Sequence, residues 1–186
     1  MGELGGVSHK KRIMMLYEEP EYVKTYDRRY YKIQLAKYET LLPYLNHNPP
    51  NWILDVGVGT GLFLEKIEQW AMIVGVDISL NMLRIAKKRV KNYSHIELIL
   101  ADADYLPFKE NIFPIVTTFT LLQNVPNPLE TIKELFRVSD KLVAITVLKK
   151  KINALSLKKL LKKSGVKKFN IIERKSEDIF AICNVT

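Results

Sequence analysis

Glycines at alternate positions, Gly57, Gly59 and Gly61, follow directly on the apolar stretch Trp52-Ile53-Leu54 and the dipeptide Asp55-Val56. A chain leaving a buried strand through such a bend is set up as a strand–turn–helix unit. Glycine lets the backbone turn tightly and come close to a ligand. A helix over Leu62 to Trp70 is expected next, its first N–H groups free to meet a carboxylate. The spacing also separates ligand classes. A dinucleotide fingerprint places its third glycine three residues after the second, and here that position is Leu62. Asp55 stands two residues before the first glycine. A carboxylate repels a pyrophosphate and attracts an ammonium. The bend therefore asks for a ligand with a zwitterionic, amino-acid-like tail.

The rest of the chain agrees with this unit. Residues 1–19 read as loosely ordered, with a Lys10-Lys11-Arg12 cluster, and residues 20–46 as helical with Leu35, Tyr38, Leu42 and Leu45 on one face. Asn46 to Asn51, with Pro49 and Pro50, is a breaker. Strands and helices then alternate. Strands are expected at 52–54, 72–76, 96–100, 112–119, 142–148, 167–173 and 178–184. Ser79 caps a helix burying Met82, Leu83, Ala86 and Val90. Asn127-Pro128-Leu129-Glu130 starts another, with Asn capping and Glu reaching back to a free N–H. Its buried face is Leu129, Ile132, Leu135 and Phe136, and a last helix runs from Ile152 to Lys163. Such alternation predicts an α/β fold, a Rossmann-like, mostly parallel sheet with helices on both faces. Ligands bind such sheets at the carboxyl ends of the strands, where the strand order reverses.

Two more acidic motifs fall at strand ends. Asp77, in Val74-Gly75-Val76-Asp77-Ile78-Ser79, lies 22 residues after Asp55. A carboxylate there accepts hydrogen bonds from both hydroxyls of a ribose. In Leu100-Ala101-Asp102-Ala103-Asp104-Tyr105-Leu106-Pro107-Phe108, Asp102 is placed to accept from an adenine amino group, with the Ala103 N–H reaching a ring nitrogen.

Taken together, these three motifs resemble the class I S-adenosylmethionine-dependent methyltransferases, and most of all the small branch without a large inserted substrate domain. The resemblance covers about residues 50–185. It implies a seven-stranded sheet whose last strand pair is antiparallel at one edge, with the third strand at the other. It implies S-adenosylmethionine as cofactor, with Asp55, Gly57, Gly59 and Gly61 on the methionine part, Asp77 on the ribose and Ile78 against the adenine. Asp102 and Ala103 would fix the adenine edge, and Phe119 and Thr120 would border the sulfonium. In these terms residues 1–46 form an N-terminal tail and helical lid segment, and residues 47–186 the cofactor-binding domain. Where many relatives carry two histidines after the fourth strand, this chain has Leu121-Leu122-Gln123-Asn124. The candidates on the acceptor side are therefore Gln123 and Asn124, together with Tyr26 from the stripe Tyr22, Tyr26, Tyr30. That stripe reads equally as packing against the core, and Asp27 beside it as an exposed surface residue.

Composition narrows what remains. One cysteine, Cys183, excludes an intrachain disulfide, and His9, His47 and His95 lack metal-ligand spacing, so no metal site is expected. Transfer to N, O or S is expected over carbon, since Cys183 lies far from the motifs. No apolar run reaches the length of a membrane span and no signal peptide is visible, which points to the cytoplasm. The net charge of +9 is uneven, with +8 of it in residues 149–186. A basic end with Lys158, Lys159, Lys162, Lys163, Lys167 and Lys168 suits RNA, and suits a solvated lysine surface as well. The sequence therefore supports an RNA or translation-related protein as substrate. The alternatives are a small-molecule substrate and a non-catalytic cofactor-binding subunit. The edge strand 95–100 is a candidate dock for a small activator protein.

Overall fold

A computed structural model describes residues 9–45, 51–69, 72–173 and 177–185. Seven strands form one sheet in the order β3-β2-β1-β4-β5-β7-β6. They are β1 (Ile53–Val56), β2 (Ile73–Asp77), β3 (Ile96–Leu100), β4 (Phe113–Phe119), β5 (Ser139–Leu148), β6 (Lys168–Glu173) and β7 (Asp178–Asn184). The first five run parallel, and β7 lies antiparallel between β5 and β6. The strand order reverses between β1 and β4, so a crevice opens at their carboxyl ends.

Strand periodicity divides the core into two layers. Leu54, Val56 and Val116 face helices α4 (Pro128–Val138) and α5 (Ala154–Lys163). Ile53, Ile73 and Ile115 face helices α2 (Pro20–Leu45) and α3 (Leu80–Arg89). Ser79 caps α3 by accepting from Met82 N, and Met82, Leu83, Ala86 and Val90 are all buried, as the pattern required.

Several local expectations are corrected. Residues His9–Glu18 form a helix, α1, rather than a loose tail. Its end is pinned to the start of α3, where Ser79 Oγ donates to Tyr17 O at 2.8 Å and Asn81 Nδ2 to Glu18 O at 2.7 Å. Among the described residues of 62–70 only a 3₁₀ turn forms, Leu64–Lys66. Leu62, Phe63 and Leu64 are consecutive and all buried, which is more than the one-sided stripe of a surface α-helix can hide. Trp70, Asn46 to Pro50, and residues 1–8 of the tail lie outside the described residues. Trp52 is exposed and precedes the strand it was expected to open. Asn127 makes no side-chain cap, and Glu130 pairs with Lys133 at 2.9 Å instead of reaching back. The last helix begins at Ala154, where Asn153 accepts from Ser156 N.

Helix α2 buries a different stripe from the expected one. Tyr38 and Leu45 are buried, but with Val23, Gln34, Lys37 and Leu41, while Leu35 and Leu42 are only partly covered. The hydrophobic pattern misses this because two of the buried side chains are polar. Lys37 pairs with Asp178 of β7 at 3.2 Å, both at most 4% exposed. Burial lowers the lysine's pKa and raises the aspartate's. Asp27, expected at the surface, ties the other part of α2 to the glycine bend. It accepts from Thr60 Oγ1 at 2.6 Å and pairs with Arg89, which also donates to Thr60 O at 2.9 Å.

Candidate functional site

The crevice is built by four strand ends and two N-terminal helices. Its floor is Val56, Gly57 and Gly59 after β1, Asp77 and Ile78 after β2, Asp102 and Ala103 after β3, and Phe119 to Leu121 after β4. Lys10, Ile13, Met14 and Tyr17 of α1 and Tyr26 of α2 form its roof. It encloses about 760 Å³, open mouth included. A smaller recess continues from it past Gly57, Gly59, Phe119 and Tyr26, and ends at Asp55, Gln34 and Tyr38.

At the recess end, Asp55 is 2% exposed and its carboxylate accepts from Thr117 Oγ1 at 2.8 Å. The two residues are register partners across β1 and β4, so strand pairing creates the contact. Burial pushes the Asp55 carboxyl up to about 7 against this hydrogen bond, with a further rise from the charge of Asp77. A buried acid poised there gains from a cationic ligand. At the middle, Asp77 accepts from Gly59 N at 2.8 Å and Ser79 N at 2.9 Å. Burial raises its pKa, and these backbone donors hold it down in part. Each carboxylate oxygen keeps a lone pair for a sugar hydroxyl.

The three glycines of the bend have different duties. Gly59 has φ +56°, and that left-handed turn aims its N–H at Asp77. At Gly61 a Cβ would meet Ala86 Cβ at 3.1 Å, so this glycine lets α3 pack against the bend. Gly61 is not among the residues lining the crevice, whereas Gly57 and Gly59 are. Thr120 also has a left-handed φ, +55°, at the end of β4. Its N–H is held by Thr146 O at 3.0 Å. A non-glycine residue in this conformation is a local strain that its surroundings must fix.

At the far end, Asp102 and Asp104 share one cation. Lys10 Nζ lies 2.6 Å from Asp102 Oδ1 and 2.6 Å from Asp104 Oδ2. Sequence reading saw Lys10 only as part of a basic tail, because the contact spans 92 residues.

The structure brings Asp55, Gly57, Gly59, Asp77, Ile78, Asp102, Ala103, Phe119 and Thr120 to one connected crevice. Of the acceptor-side candidates, Tyr26 and Asn124 line it. Asn124 Nδ2 donates to Tyr17 Oη and to Thr120 O, each at 3.3 Å. Gln123 is not a lining residue, and its Oε1 is buried without a hydrogen-bond partner. Tyr22 and Tyr30 each pack against Tyr26 with tilted rings, joined by Tyr17 edge-on at 5.6 Å from Tyr22. Burial pushes the Tyr26 phenol up to about 12 and that of Tyr17 higher still, so both are neutral donors. Cys183 is buried in β7 and its thiol is pushed up to about 12 by burial. Lys10, Tyr17, Gln34 and Thr117 are site residues that the sequence reading missed.

The crevice thus sets one carboxylate beside the glycine bend, a second at the end of β2 and a third after β3. Comparison with known proteins agrees with the resemblance in the sequence. Residues 54–142 match the family described as a methyltransferase domain. A demethylmenaquinone methyltransferase of Staphylococcus saprophyticus is 36% identical over 121 residues, 61% of this chain and 52% of that protein. A malonyl-[acyl-carrier protein] O-methyltransferase of Marinomonas sp. is 29% identical over 140 residues, 73% of this chain and 50% of that protein. The magnesium protoporphyrin IX methyltransferase of Synechocystis PCC 6803, crystallised with S-adenosylmethionine, superposes with a TM-score of 0.78 at 16% identity. That superposition covers 97% of this chain and all of the other. The chain spans about half the length of the curated relatives it matches. Residues 54–142 thus match a methyltransferase domain, and the fold is that of the class I S-adenosylmethionine-dependent methyltransferases, whose cofactor is S-adenosylmethionine. The residues present have the chemistry that cofactor asks for, with the carboxylates of Asp55, Asp77 and Asp102 spaced along one connected crevice.

Proposed function

We propose that the protein transfers the methyl group of S-adenosylmethionine to a small organic acceptor. The roof carries this reading. Ile13, Met14, Tyr17 and Tyr26 close over Asp77, Thr120 and Asn124, and Leu121 and Val125 complete an apolar wall. Small-molecule sites are mainly apolar with a few placed polar groups, and this crevice has that lining. The lysines that suggested RNA lie elsewhere. Lys158, Lys159, Lys162, Lys163, Lys167 and Lys168 are exposed, and none lines the crevice. The matched relatives, named for demethylmenaquinone and malonyl-[acyl-carrier protein], favour the small-molecule alternative over RNA.

The cofactor supplies a methyl group already activated on a sulfonium. The chain then has to hold, orient and keep dry. Asp55 fixes the amino-acid tail and Asp77 the ribose. Asn124, held by Tyr17 and Thr120, offers an amide to orient the acceptor. Tyr17, Tyr26 and Phe119 present aromatic faces that suit a cationic centre and exclude water. The test is incubation with methyl-labelled cofactor and native cell extract, with the label sorted by size and chemistry. Label in a discrete low-mass product supports the proposal. Label confined to RNA or protein overturns it.

A further inference from the structure

Gln34 sits at the closed end of the recess, on α2, and has not yet been given a role. It is 8% exposed, and its Oε1 has no hydrogen-bond partner among the described residues. Its Nε2 donates only a long bond, 3.4 Å, to Tyr26 Oη. A buried carbonyl left unpartnered is destabilising, so a chain that keeps one needs a reason. The recess gives the reason. Gln34 lines it with Asp55, Gly57 and Gly59. Asp55 has one side-chain donor, the Thr117 hydroxyl. The recess thus presents two acceptors at its end, a carboxylate and an amide carbonyl, beside the hydroxyls of Tyr26 and Tyr38. An ammonium group brings three N–H donors and one positive charge. A single carboxylate cannot satisfy all three.

We propose that Gln34 is a cofactor-binding residue, its Oε1 accepting from the α-ammonium of S-adenosylmethionine that Asp55 neutralises. This rests on the assignment of the crevice to that cofactor. The consequence is that the roof and the floor read the same group. Asp55 comes from the sheet and Gln34 from α2, which is also latched to the bend through Asp27 and Thr60. Occupancy of the methionine end therefore draws α2 onto the sheet.

The test is isothermal titration of the full chain, and of Gln34→Leu and Gln34→Glu variants, with three ligands. S-adenosylmethionine carries both ammonium and carboxylate, its decarboxylated form keeps the amine only, and 5′-methylthioadenosine lacks both. Gln34→Leu should weaken the first two about tenfold and leave the third unchanged. Gln34→Glu, which keeps an acceptor oxygen, should retain both. Ligand-free Gln34→Leu should melt no lower than the parent, because leucine removes the unpartnered carbonyl. Loss with S-adenosylmethionine but not its decarboxylated form would assign Gln34 to the carboxylate and overturn the proposal. Equal loss on all three ligands, or no loss, would overturn it too. If the unaltered chain bound none of the three, the crevice assignment itself would fail, which is a separate result.

Discussion

The two ends of the crevice handle charge in opposite ways. At the Asp55 end a buried carboxyl has one hydroxyl donor, its pKa is pushed up to about 7, and a neighbouring amide oxygen is unpartnered. At the Asp102 end two carboxylates already share the Lys10 ammonium of the chain's own first helix. The first end is short of a cation and the second is supplied with one. Under the proposed placement of the cofactor, the methionine end selects by charge, whereas the adenine end selects by shape and hydrogen bonding, with Lys10 as a competitor for the same carboxylate.

The largest expected break in this comparison comes from Asp55→Asn. A charge-assisted hydrogen bond is worth about 1.5–3 kcal/mol, so affinity for S-adenosylmethionine should fall about 10- to 100-fold by calorimetry. Affinity for 5′-methylthioadenosine should hold. Equal losses for both ligands would mean that the two ends are not separate.

That contrast was only half legible in the sequence. Asp55, Gly57, Gly59, Asp77 and Asp102 were legible because each lies within a few residues of a strand end, where local spacing fixes position. The seven-strand alternation was legible from apolar periodicity for the same reason. Gln34 and Lys10 were not, because helices distant in sequence deliver them and no spacing encodes a contact across 92 residues. Thr117 meets Asp55 only once β4 pairs with β1. The helix expected after Gly61 failed because pattern reading counts apolar residues, and here three in a row are buried on different sides of a turn.

Acidity should separate the ends next. The Asp55 carboxyl has a folded pKa near 7 against a usual value of 3.8. The folded state holds this proton more tightly than the unfolded state. This group's contribution to stability therefore falls as pH rises from about 4 to about 7 and is flat above. A cationic tail requires the ionised form, so binding releases a proton below pH 7. Affinity for S-adenosylmethionine should drop by up to about tenfold per pH unit below 7 and level off above it. 5′-Methylthioadenosine should show no such slope, and Asp55→Asn should abolish it. A flat profile in the unaltered chain would remove Asp55 from the ammonium.

The smallest effect belongs to Lys10. Partly exposed ion pairs contribute about 0–1 kcal/mol, so Lys10→Ala should change affinity for 5′-methylthioadenosine by no more than about fivefold. The sign should be toward tighter binding, and added salt should mimic it by screening the pair. Weaker binding in the variant would make Lys10 a ligand-holding residue and not a competitor.

The central claim is tested most directly by a crystal structure grown with S-adenosylhomocysteine. The account predicts the amino group within hydrogen-bond distance of the Asp55 carboxylate, the ribose hydroxyls on Asp77, and the adenine amino group on Asp102 with Lys10 turned away. A nucleoside bound in the reverse sense, with its amino-acid tail against Asp102 or in solvent, would contradict it.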